Sequence, residues 1–368
     1  MIPLWKVRRE TIRLGQQIKA IPEFFYEQAA QRKHDRAFKK GFPIVDGQQP
    51  LTSKVSLLLI FQPDGLRETT IEACKHMVDK GYSPMVISNT PLQGDDLERL
   101  APYVWKILLR PNFGYDFGGY RDGIKLLWEW GIAPDCLLVM NDSIWFPLYS
   151  DETLIEKMEQ KGVDVAGAVL HIRRSKSWRH KSKQHLESYC YLISGNTFIT
   201  QEFRHFWEKL HLTSNKYKVI RRGERGHSLA LMQAGFTLGA IFSHDEFVAE
   251  MAKQPNEFLY KTILYAAHKN QHLIEDRRTL LQSKHHDQKW RGFALKHFED
   301  ALDYEEAHST FPYAMVNLFQ YPLLKKSGDT PSKLWRETYL EAVDADDIPA
   351  PDPIFLEEIR NKVECDNL

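Results

Sequence analysis

Arg110-Pro-Asn-Phe-Gly-Tyr-Asp-Phe-Gly-Gly-Tyr-Arg-Asp122 separates two apolar stretches, Trp105-Lys-Ile-Leu-Leu109 and Cys136–Met140. It packs three glycines, two acids and two arginines into one connection. The second stretch runs on as Leu137-Leu-Val-Met-Asn-Asp-Ser143, a buried-strand pattern broken off by three small polar side chains. A glycine-rich connection followed by a strand tipped with a carboxylate is a way for an α/β fold to hold a diphosphate and any metal riding on it.

Outward from there the chain alternates. Val55-Ser-Leu-Leu-Leu-Ile-Phe61 is an uninterrupted apolar run, the mark of a strand covered on both faces. Gln62-Pro-Asp-Gly65 is a turn, and Glu68–Lys80 carries helical spacing up to Gly81, a C-cap. Pro84–Asn89 is a second strand, Asp95–Leu100 a short helix and Trp105–Leu109 a third strand. A helix is predicted over Asp122–Trp130, and Cys136–Met140 is the next strand. Further on, Val165–Leu170 and Leu238–Phe242 read as strands. Strands alternating with helices give a mostly parallel sheet with right-handed crossovers. Ligands of such sheets sit at the carboxyl ends of the strands. Those ends are Phe61–Asp64, Ser88-Asn89, Arg110–Asp122 and Asn141-Asp142-Ser143, so distant segments are expected to share one rim.

Each part of the rim has a candidate task. Gly114, Gly118 and Gly119 permit positive φ and close backbone approach to a ligand. Arg110 and Arg121 are candidates to neutralise a diphosphate, while Arg121 has an ion pair with Asp122 or Asp116 as its alternative. Asn141-Asp142-Ser143 ends a buried strand, where an unpaired carboxylate is costly, so Asp142 is a functional candidate or a helix cap near Asp151. Neither a Walker Lys-Ser/Thr nor GxGxxG occurs in the loop, so neither a P-loop ATPase nor a dinucleotide dehydrogenase is supported.

Bulk properties agree with a globular α/β protein. Of 368 residues 43% are hydrophobic, and the formal net charge is +0. A neutral chain argues against nucleic acid as partner. Cys74, Cys136, Cys190 and Cys365 make no CxxC pair, which fits a reducing compartment. No apolar run approaches the roughly 20 residues that span a bilayer, and the N-terminus lacks a signal-peptide core. A cytoplasmic protein is expected, with peripheral contact to the inner membrane through its N-terminus: Met1–Lys40 holds ten Lys/Arg against four Asp/Glu, with Trp5, Ile12, Leu14, Ile18, Ile21, Phe24 and Phe25 at loosely helical spacing. Packing on the main domain is the alternative for that helix. Trp335–Leu368 is acidic and broken by Pro349, Pro351 and Pro353, reading as a helix or two and a partly loose tail. The division expected is a basic helical segment over 1–48, an α/β domain over 50–250 and a mainly helical region over 251–368.

The loop Arg110–Asp122 and the Asn-Asp-Ser strand end resemble the rhamnan synthesis protein F family. So do His185-Leu-Glu-Ser-Tyr-Cys-Tyr-Leu-Ile193, the helix with Phe203–Trp207, and Pro322-Leu-Leu-Lys-Lys326. Glu187 stands where the family pattern has Gln. The resemblance covers residues 50–328 and implies a GT-A-like glycosyltransferase, with helical N- and C-terminal appendages. It implies transfer of rhamnose from dTDP-rhamnose or GDP-rhamnose to a lipid-linked or growing glycan acceptor of the bacterial surface, with Mg²⁺ or Mn²⁺ as a further cofactor. Where this fold usually has Asp-x-Asp, the chain has a single acid, so Asp142 is the expected metal ligand and the arginines are alternatives to metal. Phe61, Asp64, Asn89, Arg110, Asn112, Gly114, Asp116, Gly118, Arg121, Asn141 and Ser143 are the expected donor-binding residues. Inverting enzymes of this fold carry an acid at a helix start with a glycine about a dozen residues on, and Glu224 in Arg221–Gly235 fits that position as general base. His227, Asp245 and Glu246 are alternative bases, and a Glu that merely stabilises the helix start is the plain alternative.

Other clusters carry less. His285-His286-Asp287 reads as a solvated run, and His171–Arg174 with Lys176–Lys183 as a basic loop facing phosphate or lipid. Trp145, Trp178, Tyr189 and Tyr191 are either sugar-stacking platforms or core. A non-catalytic binding or scaffolding subunit of a polysaccharide assembly complex is the competing function. Nucleotidyl transfer is disfavoured because residues 50–66 lack a glycine-rich signature with Lys.

Overall fold

The computed structural model describes residues 26–171 and 184–367. The apolar positions expected of the basic helix from Trp5 to Phe25, and the basic run 172–183 with Trp178, lie outside them.

The strands are β1 (Ile44–Asp46), β2 (Lys54–Ile60), β3 (Tyr82–Ser88), β4 (Lys106–Leu109), β5 (Cys136–Asn141), β6 (Ile144–Trp145), β7 (Val165–His171), β8 (His185–Leu186), β9 (Cys190–Ser194), β10 (Leu238–Phe242) and β11 (Leu324–Lys325). The main sheet runs β1-β4-β3-β2-β5-β9-β7-β10, with β8 on β7, and β6 pairs with β11 apart from it. β4, β3, β2 and β5 are mutually parallel, as are β7 and β10. β9 lies antiparallel between β5 and β7, and β1 antiparallel at the edge. This is the mostly parallel, GT-A-like α/β sheet expected. The order reverses between β2 and β5: the chain leaves β2 toward β3 and β4, then returns to β5 on the other side.

Period-two burial explains why the central strands read as continuous apolar runs. Val55, Leu57 and Leu59 of β2 join one core with Ile87, Leu137 and Val139, whereas Leu58 and Ile60 join another with Val86, Leu138 and Met140.

Helix α1 occupies 26–40. It is followed by α2 (Glu68–Asp79), α3 (Gly94–Leu100), α4 (Tyr115–Glu129), α5 (Leu154–Gln160), α6 (Gly195–Phe198), α7 (Gln201–Lys209), α8 (Lys216–Val219) and α9 (Arg225–Gln233). A π-helical turn, Ile220–Glu224, joins α8 to α9. The C-terminal helices are α10 (His244–Lys253), α11 (Asn256–Leu264), α12 (Gln271–Leu281), α13 (Gln288–Leu302), α14 (Ala307–Thr310), α15 (Pro312–Phe319), α16 (Thr330–Asp344) and α17 (Pro353–Asn367). Their apolar residues, among them Phe247, Trp290, Phe298 and Trp335, share one core with Leu58 and Ile60 of β2. The helical region thus continues the sheet's core instead of forming its own.

Two expectations are corrected. The acidic end is helix to residue 367: Phe355 and Ile359 of α17 are buried, and Arg336 holds Asp366 in an ion pair. The glycine-rich connection is also mostly helix, since α4 begins at Tyr115, seven residues before the Asp122 start predicted. Of its glycines, Gly114 takes positive φ, +82°. Gly118 and Gly119 lie inside α4 and serve packing: an added Cβ would sit 2.1 Å from the Phe113 carbonyl oxygen and 1.8 Å from Leu59 Cδ1, respectively. Close approach of α4 to the loop before it at Gly118, and to β2 at Gly119, is what these two positions require.

Candidate active site

The parallel ladder aligns the strand ends. Ile60 pairs with Ser88, Ser88 with Leu109 and Leu59 with Asn141, so the next residues of β2, β3, β4 and β5 emerge side by side. At the reversal point Asp142 straddles β2 and β5. Its amide donates to Leu59 O (2.9 Å), and its Oδ2 accepts from the Phe61 amide (2.9 Å) and Gln62 Nε2 (3.1 Å). Burial pushes the Asp142 carboxyl up, against these hydrogen bonds and the charges of Lys326 and Arg67.

Asp116 arrives from the first turn of α4. Asn141 Nδ2 donates to its Oδ2 (3.1 Å), while Asn141 Oδ1 accepts from the Ser143 amide (3.1 Å). Burial and the nearby charges of Asp142 and Glu224 raise Asp116 to about 6, with Lys216 opposing. Asp116, Asp142 and Glu224 therefore share one electrostatic site, although β7 to β9 and the π-helical turn separate Glu224 from the others in sequence.

Glu224 ends that π turn. Its Oε2 accepts from the Ser188 hydroxyl (2.8 Å) and its Oε1 lies 3.2 Å from His185 Nε2. π turns cluster at functional sites because the extra residue re-aims a side chain. Gly223 makes this one possible: a Cβ there would meet the Phe117 ring at 2.4 Å. Arg222, two residues before Glu224, turns to Glu27 of α1 (3.2 Å).

Other expected residues hold the frame. Arg110 is a buried structural cation: Nε donates to Asp122 Oδ2 (2.7 Å), Nη2 to the Phe113 carbonyl (2.6 Å) and Nη1 to Asn89. His34 of α1 completes that cluster on Asp122 (2.9 Å). Arg121 pairs with Asp35 of α1 (2.8 Å) and donates to Trp207 O (3.2 Å), so its expected partners Asp116 and Asp122 are not the ones it takes. Neither guanidinium offers a diphosphate a free edge. Asn89 passes the contact on to Asn112 (3.2 Å), and Phe61, Asp64 and Ser143 stand exposed on the rim. Among the alternative bases, His227 is buried in an aromatic cluster with Phe117, Phe206 and Trp207, and burial pushes its imidazole down to about 3. Glu246 closes a capping box with Ser243 at the start of α10, where Asp245 also lies. Trp145, Tyr189 and Tyr191 are core. Asp287 caps α13 through the Trp290 amide (2.9 Å), and His286 stacks beside Trp290. Among the described residues no cluster of three acids, imidazoles or thiols is placed to hold a metal.

Sequence reading assigned no task to His185, Ser188, Gln62, Lys216, Lys326 or Arg67. His185 and Ser188 stand in the quoted His-Leu-Glu-Ser-Tyr segment, which was the available signal. Glu187 of that segment pairs with Lys325 (2.8 Å), a matched charge where an amide was expected.

The model of rhamnan synthesis protein F matches residues 85–306. The chain belongs to the rhamnan synthesis protein F family. A member of the curated relatives, "Uncharacterized protein y4gN" of Sinorhizobium fredii, is 34% identical over 248 residues, 67% of this chain and 64% of its own length, so the chain spans less than two thirds of that relative. The family match takes in β4, α4, β5 and the π turn, and so contains Asp116, Asp142, Ser188 and Glu224. The family's name ties it to rhamnan synthesis. Among the described residues no helix is long and apolar enough to cross a membrane.

Proposed function

We propose that this member of the rhamnan synthesis protein F family is an inverting glycosyltransferase. In this reading it moves rhamnose from dTDP-rhamnose or GDP-rhamnose onto a growing bacterial surface polysaccharide. The observation that carries the reading is the meeting of Asp116, Asp142 and Glu224 where the strand order reverses.

The acceptor hydroxyl gives its proton to the Glu224 carboxylate as its oxygen bonds to C1 of the donor sugar. The bond from C1 to the diphosphate oxygen breaks, and the diphosphate leaves with the electron pair. Ser188 and His185 orient the carboxylate for that transfer. Two acids at the rim repel a diphosphate, which calls for a cation between them. Asp116 and Asp142 each keep one carboxylate oxygen without a hydrogen-bond partner among the described residues, and both are pushed toward protonation. A Mg²⁺ or Mn²⁺ ion would fit between these two side chains, which would hold it. Such an ion, when bound, offsets the charge of the leaving diphosphate. Arg67 and Lys326 supply cations near Asp142.

The exposed face of α1 carries Arg32, Lys33, Arg36, Lys39 and Lys40, while His34 and Phe38 face the protein. That partition supports peripheral contact with an anionic membrane face, where the acceptor would be lipid-linked.

The test is a panel of nucleotide sugars offered to the full chain with and without a rhamnan acceptor. Slow donor hydrolysis that Asp142→Ala abolishes is expected. Glu224→Gln should lower transfer by roughly 10²–10⁴-fold while donor binding persists. The second reading, a non-catalytic subunit, is favoured by one observation: both Glu224 oxygens already have protein partners. Absence of turnover with every donor, alongside retained glycan binding, would establish it.

A further inference from the structure

A second cleft, of about 210 Å³, opens between the end of β7, the segment after β8 and the helices α14 and α16. Lys325, Glu187, His171, Glu306, Tyr304 and His308 line it. We infer that it is the acceptor subsite and takes a neutral saccharide, an inference that rests on the transferase reading above.

Its charges are already matched. Glu187 pairs with Lys325 (2.8 Å), Glu306 with His171 (2.6 Å) and His244 (2.9 Å), and Glu305 with His268 (2.7 Å). Asp329, also in the lining, caps α16 through the Ser332 amide (3.1 Å). Carboxylates at least match the cations there, so a phosphate finds no surplus of positive charge. Sugar hydroxyls, which both donate and accept, suit such a wall. The volume is below the roughly 300–1,000 Å³ of drug-sized pockets, a scale that suits one or two sugar rings.

Two side chains in the lining are placed to meet a saccharide. His308 is 5% exposed, and neither ring nitrogen has a hydrogen-bond partner among the described residues. Burial pushes its imidazole down to about 4, so at neutral pH it is uncharged, with one donor and one acceptor. Such a ring at the cleft wall can donate to one sugar hydroxyl and accept from another. Tyr304, 67% exposed, presents an aromatic face at the cleft.

Two residues of its lining, His171 and Lys325, lie near the proposed base. His171 and His185 are register partners on β7 and β8 with ring centroids 4.9 Å apart, and His185 lies 3.2 Å from Glu224. Lys325 feels the charges of both Glu187 and Glu224. A saccharide in this cleft would place a hydroxyl toward the carboxylate that must deprotonate it.

The test uses Tyr304→Ala and His308→Phe, the first at an exposed position and the second keeping the ring packed against Tyr321 and Trp335. Saturation-transfer NMR with a rhamnan trisaccharide on the full chain reads binding without activity. Wild type should bind, and each variant should weaken it by about tenfold. Acceptor KM should rise to match while donor hydrolysis stays unchanged. Trisaccharide binding unaltered in both variants, or no binding to wild type, overturns the subsite. If no donor is hydrolysed but trisaccharide binding is present and lost in the variants, the cleft stands and the transferase reading falls.

Discussion

At Asp116 the burial of a carboxylate meets the negative charge of Asp142 and Glu224, and the result is testable without any ligand. Its proton affinity rises from 3.8 to about 6 on folding. Between those values the folded chain holds more protons than the unfolded one, so stability grows as pH falls from about 6 toward 4 and is flat above 6. Asp116→Asn should therefore be more stable than wild type at pH 7.5 by about 2 kcal/mol, a gap that closes near pH 4. Urea denaturation at both pH values reads it; an equal gap at each would show that titration of this group is not the cause. Gly118 makes the opposite point about glycine. In an exposed helix Gly→Ala gains about 0.5–1 kcal/mol. Here the new Cβ would stand 2.1 Å from a backbone oxygen that also accepts from Arg110, so Gly118→Ala should cost about 2–3 kcal/mol by the same measurement.

At the scale of elements, α1 is a strut. Gln31 donates to Leu210 O (3.2 Å), His34 pairs with Asp122 of α4, Asp35 with Arg121, and Glu27 with Lys218 (2.8 Å) and Arg222 (3.2 Å). Burial works to raise Glu27, but hydrogen bonds from Lys218 and Thr213 and the charge of Arg222 win, leaving it below its ordinary range. Its contribution to stability is thus present at neutral pH and lost as pH falls into the carboxylate range. Because these partners flank Glu224, on the transferase reading Glu27→Gln should lower kcat for transfer by about three- to tenfold and leave donor affinity unchanged, which steady-state kinetics and donor titration separate. An equal loss in donor binding would mean the helix supports the rim as a whole and not the π turn.

Across the whole molecule, one core extends from β2 to the last helix. α17 folds back so that Glu358 meets Lys326 (3.2 Å), Arg67 and Thr69 beside the rim. Deleting residues 353–368 removes buried Phe355 and Ile359, each worth about 1.5–3 kcal/mol. Calorimetry should show a Tm several degrees lower. Donor affinity should fall with it, since Arg67 and Lys326 lose their common partner; an unchanged donor affinity would detach the tail from the site.

The six parallel strands, the two-sided sheet and the rim acid were readable because each is a local property, while the antiparallel β1, β8 and β9 were not. Apolar runs such as Leu57–Ile60 carry their period in neighbouring residues, and Asn141-Asp142-Ser143 stops such a run in polar side chains. The family signature around residues 110–122 was local as well. What needed the tertiary structure were the partners. Nothing near Arg110 announces that His34 and Asn89 will help consume its neighbourhood, or that Gly118 faces a carbonyl instead of a ligand. The meeting of Glu224 with Asp116, and of Glu187 with Lys325, depends on which strands lie side by side. Sequence spacing encodes the shape of each element. Their juxtaposition is set by the packing of all of them at once, and only that packing brings charges distant along the chain within reach of one another.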